Sequence, residues 1–140
     1  MNKFSVLILA VLSFSAFSAS AAITERVGLA CVFTEPFLSY TLQAKNSTGR
    51  VDFEAIKVGD DVFADVAGEE VVAGSVTAAL YGTRFITYTF KTGKTVTKLT
   101  VDRYTPGSDG MSETVYAFEG HLDGDLGHYG GCSFFVSYSK

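Results

Sequence analysis

The chain has 140 residues, 47% of them hydrophobic and 19% charged, a composition that belongs to a globular protein and excludes a disordered one. That length supports one hydrophobic core, not two. A net charge of −4 with no basic run argues against nucleic acid and anionic lipid as partners.

The N-terminus reads as an export signal. Lys3 supplies the positive end, an apolar stretch runs from Phe4 to Phe17 broken only by Ser13 and Ser15, and small residues follow from Ser18 to Ala22. Ala19 and Ala21 form an A-x-A site, so cleavage is expected after Ala21, with Ala22 as the alternative. The stretch is short and serine-rich for a membrane span, and Glu25 and Arg26 end it abruptly. The expected organisation is a signal peptide over 1–21 and a single β domain over 22–140, located in the periplasm or secreted. Gly28-Leu29-Ala30-Cys31 resembles a lipoprotein box, but its leucine stands one place too close to the cysteine.

Only two cysteines are present, Cys31 and Cys132. An oxidising compartment predicts that they pair. Closing a loop of about 100 residues stabilises by roughly 4–5 kcal/mol in the chain-entropy model. Their spacing suits neither a metal site nor a redox-active pair.

Period-two alternation then runs through the chain. Leu29, Cys31 and Phe33 share one face, as do Leu38, Tyr40 and Leu42 in the next segment. Asn46-Ser47-Thr48-Gly49 predicts a turn, followed by a strand with Val51, Phe53 and Ala55 on one side. Val62, Ala64 and Val66 continue the pattern. Val71 to Leu80 is apolar and small without clear alternation, which leaves a strand or a short helix open. Arg84–Lys91 and Lys94–Val101 flank Thr92-Gly93, predicting a two-residue hairpin that sets Ile86 opposite Leu99, Tyr88 opposite Thr97 and Phe90 opposite Thr95. Tyr116 and Phe118 are expected on one face of the penultimate strand. Cys132, Phe134, Val136 and Tyr138 are expected on one face of the last.

These short strands, punctuated by Gly, Asn and Asp and lacking a sustained helical period, predict an all-β fold: a small antiparallel, closed up-and-down barrel of about eight strands. The cysteines would tie first strand to last. An outer-membrane barrel competes, but the strands are short and their polar faces carry lysine.

Glu35-Pro36-Phe37 reads either as a strand-end bend or as a carboxylate held at the barrel rim. Asp109-Gly110-Met111-Ser112-Glu113 reads as a turn in which Asp109 accepts an amide two residues on and Gly110 takes positive φ, or as a loop presenting Asp109 and Ser112 to a ligand. His121, Asp123 and Asp125 allow a zinc or calcium site, against which Asp123-Gly124 is an ordinary hairpin turn. Asp60, Asp61, Asp65, Glu69 and Glu70 read as solvated turns. Hydrolase signatures such as G-x-S-x-G and H-E-x-x-H do not occur. No catalytic residue, metal or cofactor is therefore expected.

Three stretches together resemble an uncharacterised family of bacterial cell-envelope proteins. Its members carry G-[NT]-E-P-F-W after an early strand, a D-G-M-S-D loop before a Y-P-Y strand, and G-C near the end. The corresponding residues are Phe33-Thr34-Glu35-Pro36-Phe37-Leu38, Asp109-Gly110-Met111-Ser112-Glu113 with Tyr116-Ala117-Phe118, and Gly131-Cys132. Leu38 stands where the family has Trp, Glu113 where it has Asp, and Ala117 where it has Pro. The resemblance implies an envelope-located β domain and no reaction. It also places Glu35 near the Asp109 loop.

The sequence thus predicts an exported, non-catalytic binding or accessory module of the cell envelope, a monomer with an unknown ligand or protein partner. Binding is expected around Glu35, Phe37, Asp109 and Ser112. The rivals are a protein inhibitor of an envelope-attacking enzyme such as lysozyme, and a metal-dependent hydrolase built on His121 and His128.

Overall fold

The computed structural model describes residues 22–34, 37–47, 49–66, 68–123 and 128–139. The proposed signal peptide and Glu35 lie outside the described residues, as does Asp125 of the candidate metal cluster. Eight strands close into an antiparallel barrel in the neighbour order β1-β10-β9-β6-β5-β4-β3-β2. They are β1 (Thr24–Thr34), β2 (Phe37–Gln43), β3 (Asp61–Val66), β4 (Val72–Tyr81), β5 (Phe85–Thr92), β6 (Thr95–Asp102), β9 (Phe118–Leu122) and β10 (His128–Ser139). Between β6 and β9 the chain makes an excursion through a two-stranded ribbon, β7 (Gly107–Ser108) and β8 (Val115–Tyr116). Each barrel strand therefore neighbours the next barrel strand in the chain, and the β1–β10 ladder shuts the circle. Among the described residues no helix is long and apolar enough to cross a membrane.

Alternation places the apolar residues inside. Leu29, Leu42, Val62, Val76, Ile86, Tyr88, Phe90, Leu99 and Val101 are all buried in one cluster. Tyr40 packs edge-on against Phe90, with ring centroids 4.8 Å apart, and against Phe33 at 6.4 Å. The interior is thus filled by side chains, as a barrel of eight strands permits. Cys31 and Cys132 sit opposite each other in the β1–β10 register and form the expected disulfide, fully buried within that core.

Four local expectations need correction. The segment with Val51, Phe53 and Ala55 is not a strand. Asp52 caps a single 3-10 turn over Phe53–Ala55, its carboxylate accepting the Ala55 amide at 3.0 Å. Local capping outcompetes a ladder here. The turn drops Phe53 onto one end of the barrel, its ring against Phe134 (4.7 Å) and Phe118 (5.1 Å). Its carbonyl accepts the buried Tyr88 hydroxyl at 3.1 Å.

The β5–β6 hairpin has the predicted faces but a different register. Thr92 pairs with Thr95, so the turn is Gly93-Lys94, and Ile86 faces Val101, Tyr88 faces Leu99 and Phe90 faces Thr97. Gly93 has φ +58° and Lys94 does not have positive φ. A turn of that kind requires glycine at its first central position, which moves the turn one residue on.

The Val71–Leu80 region is a strand throughout, and the helix alternative fails. Its poor alternation comes from a bulge between Val76 and Ala78. Val76 points inward before it and Ala79 packs against the core after it, because one extra residue reverses the phase.

Finally, Tyr116 and Phe118 do not share a face. The chain bends at Ala117. Phe118 packs inward, whereas Tyr116 lies on the outer side of β10 over Gly131, where a methyl group would collide with the Tyr116 ring.

Candidate functional site

The excursion between β6 and β9 is anchored at its root by Asp102. The Arg84 guanidinium grips that carboxylate through Nε (3.1 Å) and Nη2 (2.7 Å). The Tyr104 amide and the Thr105 hydroxyl also donate to it, each at 2.9 Å. The Arg84 hydrogen bonds, joined by those two donors, hold the Asp102 carboxyl well below the usual carboxylate range. From this root the ribbon crosses the outside of β10. Gly107 passes so close to Gly130 and Gly131 that only glycine fits.

The ribbon ends in the Asp109 loop, and Asp109 builds that loop from within. Its Oδ1 accepts the Ser112 amide at 2.8 Å and the Met111 amide at 3.0 Å. Its Oδ2 accepts the Ser112 hydroxyl at 2.7 Å and the Tyr116 hydroxyl at 3.2 Å. Gly110 has φ +74°, as the turn reading required. The Ser112 and Met111 amides, followed by the Ser112 hydroxyl, lower the Asp109 pKa to about 2. Ser112 is equally engaged, its Oγ also accepting the Thr114 amide at 3.2 Å. The hydrogen-bonding capacity of both residues thus goes into the loop itself.

What the loop presents outward is Met111. It is 67% exposed and faces Phe37, which is 52% exposed at the start of β2. Between them lies a mainly apolar depression of about 180 Å³, floored by Val32 and Leu38, with Asp65 and Asp109 at its edge. The structure therefore brings Phe37 and Asp109 together and holds Ser112 in the same loop. Met111 was quoted in the sequence only as part of a motif. Val32 and Asp65 come from other strands, and no local signal marked them for this site.

The other candidates fall elsewhere. His121 stacks on Tyr129 with centroids 4.7 Å apart, and its Nδ1 lies 3.7 Å from Asp123. Among the described residues no three His, Cys, Asp or Glu side chains are grouped to hold a metal. The acidic residues are not all solvated turns as expected: Asp60 is buried because it accepts the Lys57 and Lys45 amides, and Asp61 and Asp65 stand in β3, Asp61 pairing with Arg26 at 3.7 Å and Lys45 at 3.9 Å. A larger cleft of about 470 Å³ lies within the 44–60 connection, walled by charges of both signs. Arg50 is already paired with Asp52 there.

Strand order, buried disulfide and packed core together define a small disulfide-closed antiparallel β-barrel with a filled interior. No protein-family model, no curated protein and no solved structure matches the chain.

Proposed function

We propose that this chain is an exported, non-catalytic binding module of the cell envelope, and that its partner is a protein engaged on the outside of the barrel. The observation that carries this reading is the filled interior: recognition is left to the exterior, where the Asp109-locked loop and the start of β2 place two exposed apolar side chains, Met111 and Phe37, around one shallow apolar depression. A rigid loop presenting an apolar side chain loses little entropy on binding. Asp65 at the rim and a net charge of −4 favour a partner that inserts an apolar side chain flanked by a basic one. The buried disulfide fits a periplasmic or secreted location, and the resemblance to envelope proteins points the same way. A second reading, a protein inhibitor of a basic envelope-attacking enzyme such as lysozyme, rests on the same acidity and outward recognition.

A photoreactive residue placed at Phe37 or Met111 in the exporting cell tests the proposal. The expected outcome is one protein adduct shared by both positions, weakened by Asp65→Lys, and absent with the probe at Val96. Equal labelling from all three positions would remove the proposal. Full lysozyme activity at a large molar excess of this protein would remove the second reading alone.

A further inference from the structure

Strand β3 is too short to cover β4. It pairs with Val72–Ser75 of the ten-residue strand and no further. Val76 is met instead by the preceding loop, its amide donating to the Asp60 carbonyl at 3.0 Å and its carbonyl accepting the Gly59 amide at 2.6 Å. Thr77 is the extra residue of the bulge, after which the register with β5 resumes at Ala78 opposite Thr89. Successive residues of an antiparallel strand direct their backbone groups to alternate sides. The Gly82 amide donates to Phe85 at 2.9 Å, so Gly82, Leu80 and Ala78 serve β5. Ala79 and Tyr81 therefore turn N–H and C=O toward the side that β3 leaves vacant. Among the described residues no hydrogen bond reaches those backbone groups there, while the Tyr81 hydroxyl donates to the Ile56 carbonyl of the neighbouring loop.

The ground beside this edge is open. A depression of about 430 Å³ adjoins it, lined by Val58, Ala79 and Tyr81 with Glu54 and Lys57. Leu80, on the outer face, is 75% exposed, and Val58 is 63% exposed. Val72–Tyr81 contains neither charge nor proline, the usual protections of a sheet edge. The bulge is such a protection, but it lies before the free residues.

We infer that this edge is a self-association site, at which a second copy of the chain pairs antiparallel through β4 about a two-fold axis at Leu80. A second copy fits as occupant because its own β4 carries the same two free residues at the same spacing. The edge offers two residues with free groups, two positions apart. A two-fold at Leu80 sets Ala79 of each copy opposite Tyr81 of the other, so all four possible hydrogen bonds form. The Leu80 residues then meet as a non-hydrogen-bonded pair, the closer of the two pair types. An axis at Ala79 would set Tyr81 against the bulged Thr77, and an axis at Tyr81 would set Ala79 against Thr83 in the turn. The same patch on both copies is what closed two-fold symmetry requires. Two copies of net charge −4 repel overall, but this edge is uncharged, and the two charges beside it, Glu54 and Lys57, are opposite in sign. The sequence alone predicted a single copy; the vacant edge points to a weak, concentration-dependent pair.

Sedimentation from micromolar to millimolar concentration is the test. The expected result is a twofold rise in mass, accompanied by loss of amide exchange at Ala79 and Tyr81. Ala79→Pro removes an N–H that the barrel does not use, so it should abolish the rise while leaving the strand spectrum unchanged. Leu80→Lys, which sets like charges at the axis, should do the same and stands in if the proline variant fails to fold. Leu80→Cys should cross-link two chains under mild oxidation, whereas Val96→Cys, also exposed, should not. A chain that stays single at millimolar concentration overturns the inference. So does protection of the two amides by an added extended peptide but not by a second copy.

Discussion

Asp109 illustrates how one side chain can fix a loop from within. It accepts four hydrogen bonds from residues two to seven positions onward. Because its pKa in the fold lies below the ordinary 3.8, at about 2, the stability it contributes is complete above that ordinary value. It falls away as the pH drops toward 2. Asp109→Asn should therefore lower stability at neutral pH, and the gap to the parent protein should close as the solution is acidified to pH 2. Denaturant titration at several pH values checks this; a gap that does not change with pH would show that another group carries the effect. This loop was legible in the sequence because an Asp-Gly turn is a local object. Asp102 was not, because its main partner, Arg84, stands 18 residues away across a hairpin. Phe37 was named from its motif, but its meeting with Met111 depends on where the ribbon comes to rest.

The elements show where pattern reading holds and where it slips. Alternation identified the inner face of nearly every barrel strand, since burial imposes it directly. It failed at Val71–Leu80 because a bulge breaks the period, and at Val51–Ala55 because a cap competes for the backbone. In the β5–β6 hairpin the faces survived the error in register, since displacing the turn by one residue changes the pairing by two and keeps parity. The β7–β8 ribbon rests on glycines, and that gives an element-scale test. Gly131→Ala should lift Tyr116 off β10, at a cost of about 1–3 kcal/mol for the overpacked contact. Amide exchange should then quicken across Gly107–Tyr116, while the β5–β6 ladder stays protected. Unchanged exchange in the ribbon would mean that Tyr116 is not what holds it.

At the level of the whole molecule the barrel is one covalent ring of strands. The Cys31–Cys132 bond closes a separation of 101 residues and lies within a ladder of ten paired positions. Replacing both cysteines by alanine should lower stability by about 2–5 kcal/mol, read as an earlier urea midpoint. An unchanged midpoint would mean that packing alone holds the seam. The fold class and this pairing were legible because two cysteines at opposite ends leave one connectivity. The proposed recognition surface was less so, since Phe37, Asp65 and Met111 line one depression only once the circle is complete.

That circle also governs the order of assembly. The first strand finds its final neighbour only in the last, so a chain emerging from its N-terminus cannot finish its sheet until β10 has followed. Until then Thr24–Thr34 has β2 on one side and nothing on the other, and contacts so distant in sequence form slowly. A chaperone that shields an unpaired strand while the rest of the chain follows would act on this one.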